Sequence, residues 1–244
     1  MTRLSVNLNK VALLRNTRDI GIPSVMEAAQ TCIEAGTHGI TVHPRPDERH
    51  TRPSDVYDLA ALLADVPTVE YNIEGNPFVG PFMELIRAVR PTQATLVPDE
   101  PGARTSDHGW DVATHAGRLR PIVEELKALG IRVSLFMDPD PDQIAHAARL
   151  GTDRIELYTE PYARAHAEGD FDDVLAQYAH AAETAQALGL GVNAGHDLNL
   201  DNLPAFCTIP GILEVSIGHA LIADALKRGL YATVKAYLEK ITTA

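Results

Sequence analysis

The sequence predicts an α/β protein of the (β/α)8 barrel class, on three observations. Strand-like and helix-like stretches alternate along all 244 residues, at about thirty residues per unit. Gly36, Gly130, Gly151 and Gly189 each fall where a helix must end just before a strand, a position where a left-handed cap favours glycine. The count is eight strands alternating with eight helical segments, which favours closure into a ring over the alternative, an open doubly wound sheet. No composition shift marks a linker, so residues 1–244 read as a single barrel domain.

Residues 4–9 (LSVNLN) form the first predicted strand, and Ser24 with Glu27 make an S-x-x-E box opening a helix that ends at Gly36. The second strand is 39–43, followed by a helix near 55–64 and a strand at 68–74 (TVEYNIE). Pro77 can open the next helix, to about residue 90, before the strand 93–98 (QATLVP). A longer loop, 99–110, leads to helical sequence over 111–129, with Pro121 as an expected kink or break. After Gly130 comes the strand 132–137 (RVSLFM). Asp140, Pro141 and Gln143 then supply an N-cap, a first-turn proline and a box partner for a helix ending at Gly151. The sixth strand is 154–159 (RIELYT), the next helix about 171–188, and the seventh strand 191–196 (GVNAGH). A short helix opened by Asn199, a last strand at 214–219 (EVSIGH) and a helix from 220 to about 241 complete the chain.

These strands alternate in polarity, whereas buried parallel strands are usually apolar throughout. Leu4, Val6 and Leu8 alternate with Ser5, Asn7 and Asn9; Val69, Tyr71 and Ile73 with Glu70, Asn72 and Glu74. Ile155 and Leu157 flank Glu156, and Val215 and Ile217 flank Ser216. One face of each barrel strand must meet the helices and is apolar, so the polar set points inward. The expectation is an unusually polar, hydrated barrel interior; the alternative is a dry centre in which these groups bond to one another.

A net charge of −12, from 33 acidic and 21 basic residues, argues against a general nucleic-acid binder. It leaves room for anionic substrates, because a few arginines or a helix N-terminus can hold a phosphate on an acidic protein. Cys32 and Cys207 lie in no CxxC or Cys/His spacing, so neither a disulfide framework nor a zinc site is expected. No signal peptide and no bilayer-length apolar run is present, so the expectation is a cytoplasmic protein with no membrane partner.

In such a barrel the chemistry sits at the carboxyl ends of the strands. Those ends carry Asn7 and Asn9, His43, Glu74, Pro98, Asp138, Glu156 with Thr159, His196 and His219. Three of the ten histidines thus converge on one rim with three carboxylates, a set suited to proton transfer near neutral pH. The same residue types could ligate a divalent metal. No H-x-H or H-E-x-x-H spacing occurs, however, and Arg45 follows His43 closely, so no metal is expected. The run 216–219 (SIGH) followed by a helix forms one candidate anion site, with Gly218 allowing close backbone approach. Arg18 and Arg45 are candidates for bidentate phosphate binding. Two such sites suggest a substrate pair carrying two phosphates.

Together these residues resemble the pyridoxine 5′-phosphate synthase family. The resemblance runs through VNLNKVALLRNTR, GITVHPRPDERH, NIEGNP, TLVPD, SLFMDPD, RIELYTEPYA, GLGVNAGHDL and EVSIGHALI, in that order. It implies a barrel enzyme, a homo-octamer without metal or organic cofactor. That enzyme condenses 1-deoxy-D-xylulose 5-phosphate with 3-amino-2-oxopropyl phosphate in vitamin B6 synthesis. By the same resemblance His43 and Glu74 are proton acceptors, His196 a proton donor and Glu156 a transition-state stabiliser. Asn7, Arg18, Asp197, Gly218 and His219 align with the amino-ketone phosphate site. Arg45, His50 and Thr105 align with the deoxyxylulose phosphate site. Asn9 and Lys10 stand where the family pattern has Asp-His; Lys10 can still hold an anion, but Asn9 cannot accept a proton. Asp197 replaces a glycine, so its contact has to be through backbone N–H. A metal-dependent barrel aldolase or isomerase acting on a sugar phosphate is the alternative enzyme. A non-catalytic ligand-binding barrel would be expected to lose the acid–base set, which is present here.

Overall fold

The computed structural model describes residues 1–242, and eight parallel strands close into a ring in chain order. The first half comprises β1 (Arg3–Asn7), α1 (Asn9–Arg15), α2 (Val25–Ala35), β2 (Gly39–Val42), α3 (Pro53–Ala64), β3 (Glu70–Gly75), α4 (Phe82–Val89) and β4 (Gln93–Leu96). Next come α5 (Val112–Ala128), β5 (Arg132–Met137), α6 (Pro141–Leu150), β6 (Arg154–Tyr158), α7 (Glu160–Glu168) and α8 (Asp172–Ala187). The ring closes with β7 (Gly191–Gly195), α9 (Leu203–Phe206), β8 (Ile212–Ile217), α10 (His219–Arg228) and α11 (Leu230–Thr242). None of these helices is long and apolar enough to cross a membrane.

The expected punctuation is in place. Ser24 Oγ accepts the Glu27 N–H at 3.2 Å and starts α2, which ends at the left-handed Gly36 (φ 92°). Asp140 Oδ1 accepts from the N–H groups of Asp142 (2.9 Å) and Gln143 (3.3 Å) at the start of α6. Other expectations fail for local reasons. The chain leaves β1 at Asn7 and turns directly into α1, so Asn9 begins a helix instead of ending a strand. Pro77 opens no helix; α4 waits until Phe82, because Gly80 is left-handed (φ 61°) and Pro81 follows it. α7 fills a stretch expected to be loop, and α5 continues through Pro121. Gly229 (φ 80°) divides the final helix into α10 and α11. Asn199 serves the turn before α9, its Oδ1 accepting from the N–H groups of Asp201 and Asn202 at 2.9 and 3.0 Å.

The two faces of the strands separate as expected. Val6, Ile40, Ile73, Ala94, Leu135, Ile155, Val192 and Val215 are buried in the apolar layer between ring and helices. Ser5, Thr41, Asn72, Thr95, Ser134 and Asn193 are buried on the other face. Most of this polar set bonds to itself. Ser5 and Thr41 share a hydroxyl–hydroxyl bond of 2.7 Å, Asn72 donates to Thr41 at 3.3 Å, and Thr95 donates to Asn72 Oδ1 at 3.0 Å. Near the amino-terminal mouth Arg132 donates to Gln93 at 2.8 Å and pairs with Glu70, while Arg154 donates to Asn193 at 3.0 Å. Ser134 Oγ and Glu156 Oε2 are the buried side-chain atoms without a hydrogen-bond partner among the described residues. The expected hydration would have these two points to serve. One inward pair departs from the polar pattern: Phe136 and Tyr158 meet at 5.5 Å between ring centres, near the carboxyl ends of β5 and β6.

Replacing Asp140 with alanine removes the acceptor for two N–H groups. The expected loss is ~1 kcal/mol, read as a lower urea midpoint with an unchanged denaturant slope.

Candidate functional site

The carboxyl ends of the strands surround a cavity of about 430 Å³. His43 follows β2, Glu74 ends β3, Glu156 lies on β6 and His196 follows β7, and all four line that one space. The backbone explains why they reach it. His43 is held at its N–H by Asn9 Oδ1 at 2.8 Å, and the same oxygen accepts from the Thr51 hydroxyl at 2.9 Å. Asn9 therefore clamps both ends of the loop that carries His43 and His50, and its carbonyl oxygen is engaged in that role. His196 and Asp197 both take positive φ (76° and 55°), a conformation that costs energy for residues with a side chain. Thr159 holds this turn, donating from its hydroxyl to the carbonyls of Gly195 (2.7 Å) and His196. A Cβ on Gly195 would lie 2.3 Å from Glu156 Oε1, so glycine leaves the room in which that carboxyl sits.

Burial sets the protonation of the group. Glu74 is pushed up to about 8, first by burial and then by the nearby Asp99 carboxylate. Glu156 is raised well above the usual carboxylate range by burial, with Glu74 and Glu214 adding to it. Near neutral pH both carry a proton, and a protonated carboxyl can donate a hydrogen bond. His43 goes the other way: burial lowers it well below the ordinary value, helped by Arg45, His50, His196 and Arg49. Its Nδ1 lies 3.9 Å from Glu74 Oε2 and its Nε2 lies 4.0 Å from Asp99 Oδ2. His196 is also lowered by burial, with Asp197 opposing, and packs against Phe136 (5.0 Å) and Tyr158 (5.6 Å). The free cavity thus pairs neutral imidazoles, able to accept protons, with neutral carboxyls able to give them.

Two regions of the rim suit anions. At one, Ser216, Ile217, Gly218, His219 and Ala220 line the cavity where α10 begins, so free N–H groups and the positive end of the helix face it. A Cβ at Gly218 would press on Asn7 at 3.1 Å, and Asn7 itself reaches Glu74 Oε2 at 3.4 Å. Asp197 lines the same side with an exposed side chain. At the other region stand Lys10, Arg45, His50 and Thr105. His50 is pushed down to about 3 by burial and by Arg45 and Lys10, and its Nδ1 accepts the Thr51 N–H at 2.9 Å. It therefore offers Nε2–H as a neutral donor.

Of the catalytic and substrate-binding residues expected from the sequence, Arg18 alone does not line the cavity, being exposed in the turn after α1; of the other strand-end residues, Pro98, Asp138 and Thr159 stay off its wall. The structure adds Arg49, Arg104 and Ser106 to the second anion region. It also adds Asp99, which binds Arg45 and accepts from Ser106 at 2.8 Å. The signal for Asp99 was visible as a carboxylate directly after the strand 93–98; the arginine pairing was not. Among the described residues no group of three or more His, Cys, Asp or Glu converges at metal-binding spacing.

Residues 4–243 match the family model described as pyridoxal phosphate biosynthesis protein PdxJ. A pyridoxine 5′-phosphate synthase from Albidiferax ferrireducens is 58% identical over 246 positions, covering 98% of this chain and 97% of that one. One from Xanthomonas oryzae pv. oryzae is 56% identical over 245 positions, covering 98% and 96%. Among solved structures, 3-keto-L-gulonate-6-phosphate decarboxylase from Vibrio cholerae superposes with a TM-score of 0.67 at 12% identity, over 99% of this chain and 98% of that one. Phosphoribosyl anthranilate isomerase from Thermotoga maritima gives 0.63 at 14% identity, over 100% of both. At such identities the likeness is one of fold.

Because Glu74 holds its proton more tightly in the fold than in the unfolded chain, the native state loses stability as pH rises from about 5 to about 8. Glu74→Gln removes that loss. The variant should melt near the unmodified protein at pH 5 and above it at pH 8; a gap that is constant across this range would contradict the raised Glu74.

Proposed function

The chain belongs to the PdxJ family of pyridoxal phosphate biosynthesis proteins and its activity is that of a pyridoxine 5′-phosphate synthase; we propose how its cavity carries that activity out. The reaction closes a ring between 1-deoxy-D-xylulose 5-phosphate and 3-amino-2-oxopropyl phosphate, releasing phosphate and water. The observation that carries the proposal is the shared opening of His43, Glu74, Glu156 and His196 onto one cavity between two anion-binding regions. The amino-ketone phosphate sits at Gly218 and His219, beside Asn7 and the backbone of Asp197. The deoxyxylulose phosphate sits at Arg45, His50 and Thr105, with Lys10 replacing the family's usual neighbour and Asn9 contributing through its loop.

The amine attacks the ketone to form a Schiff base, and His43 and Glu74 move the protons as water leaves. The enamine carbon then attacks the second carbonyl to close the ring; that oxygen leaves as water, protonated by His196, and cleavage of one C–O bond to phosphate releases the phosphate. Two phosphate dianions entering a space that disfavours imidazolium supply the field that lets His196 take up that proton. Glu156, held neutral, donates to the oxyanion that develops between these steps. Arg18 belongs to the amino-ketone phosphate site in this reading, which requires its turn to approach the rim when ligand is bound. The reading needs no metal or organic cofactor and involves neither nucleic acid nor membrane.

One barrel domain over 1–244, a cytoplasmic location and assembly into a homo-octamer complete the proposal. Exposed apolar side chains on and after α1, namely Leu13, Leu14, Ile20 and Ile22, support self-association beside the cavity mouth.

Mixing the purified protein with both phosphates, without added metal, should produce a pyridine chromophore. Glu74→Gln should lower kcat at least ~100-fold while changing either KM less than ~3-fold. A loss under ~10-fold would remove Glu74 from the proton transfers assigned to it.

A further inference from the structure

Asp99 follows β4, is buried, and receives more partners than any role so far given to it requires. Its Oδ2 pairs with Arg45 Nη2 and accepts the Ser106 hydroxyl at 2.8 Å. The same oxygen lies 4.0 Å from His43 Nε2, while Glu74 Oε2 lies 3.9 Å from Nδ1 on the other side of the ring. Neither separation is a hydrogen bond. The imidazole stands between two carboxyl groups and is bonded to neither.

Arg45 is committed elsewhere in this state. Its Nη1 donates to the Ala103 carbonyl at 3.1 Å, and its Nη2 end belongs to Asp99. A phosphate that binds across the Nη1–Nη2 edge of the guanidinium has to displace that carboxylate, because Asp99 holds an N–H of Nη2 on this side. Asp99 then keeps Ser106 and has lost its cation. Of the two imidazoles that can become cations near it, His196 feels the Asp99 charge and His43 stands 4.0 Å away; a carboxylate at that distance favours the imidazolium form.

We propose, on the reading of Arg45 as a phosphate-binding group, that Asp99 is a positioning residue: it turns from Arg45 to His43 when the phosphate site fills, and so makes His43 a stronger base only with substrate in place. The other groups facing His43 do not supply this. Arg45, Arg49 and His50 on its own loop and His196 after β7 oppose imidazolium. Glu74 on β3 and Glu156 on β6 are held protonated by burial, and Lys10 on α1 is a further cation in the same cavity. Linkage makes the effect reciprocal, so protonation of His43 should tighten phosphate binding.

The test follows His43 directly, in the full chain with isotope-labelled histidine, by NMR across pH with and without saturating inorganic phosphate. His43→Asn assigns the resonance. Phosphate should raise the His43 midpoint by about one unit or more. Asp99→Asn, and Asp99→Ser as a second variant, should still bind phosphate but keep less than about a third of that rise. A full rise in either Asp99 variant overturns the proposal, since phosphate would then act on His43 by itself. Arg45→Met separates the two premises: unchanged phosphate affinity there would sink the reading of Arg45, whereas lost affinity together with a full rise in Asp99→Asn would sink Asp99 alone.

Discussion

A strand in a closed ring can face only the helices or the centre, and that restriction governs this molecule. The helix-facing positions bury Val6, Ile73, Leu135 and Val215 in one continuous apolar layer. Every alternate residue is then committed to the interior whatever its polarity. Here most of those residues are Ser, Thr, Asn, Gln, Glu and Arg, which bond across the ring from Ser5 and Thr41 to Asn72 and Thr95. Glu74 and Glu156 are members of the same inward set, placed one layer nearer the mouth. The proposed catalytic carboxyls are thus a continuation of the barrel's filling.

That origin explains their electrostatics. Burial disfavours every charged form, and neighbouring carboxyls add to it for one another, so Glu74 and Glu156 are driven up while His43 and His196 are driven down. A chain of net charge −12 arrives in this way at a cavity whose proposed catalytic set is largely neutral, bordered by Lys10, Arg45, Arg49 and Arg104. The neutral set avoids the cost of buried unpaired charge. It is also the state from which anionic ligands can change protonation most, because they add the field the free protein lacks.

The architecture was legible because it is written in a period of two along each strand and in glycines at the ends of helices. Where expectation and structure part, a local conformational rule was outweighed or overlooked. The pair Gly80–Pro81 forces a turn where Pro77 suggested a helix start. Gly229 breaks a helix whose apolar spacing continues across it, and α7 lies in a stretch too short and polar to stand out. In the site, the residues at strand ends were recoverable by position alone. Asn9, which cannot accept a proton as the family's Asp does, has a role that no local pattern showed: its oxygen secures the His43 loop, a task an amide performs as well as a carboxylate. Asp99 escaped notice because its importance lies in what it touches.

The amino-acid sequence by itself determined the number of strands, which side chains point inward, and which strand ends carry His43, Glu74, Glu156 and His196. Each of these follows from local periodicity and from the residues that start and stop elements. Tertiary structure decided the rest: that Asp99 occupies the fork of Arg45, that Arg18 stands apart from the cavity, and that two carboxyls hold protons while two imidazoles give them up. Such properties depend on distances between segments far apart in the chain and on the water excluded when the ring closes around them, and no local pattern encodes either.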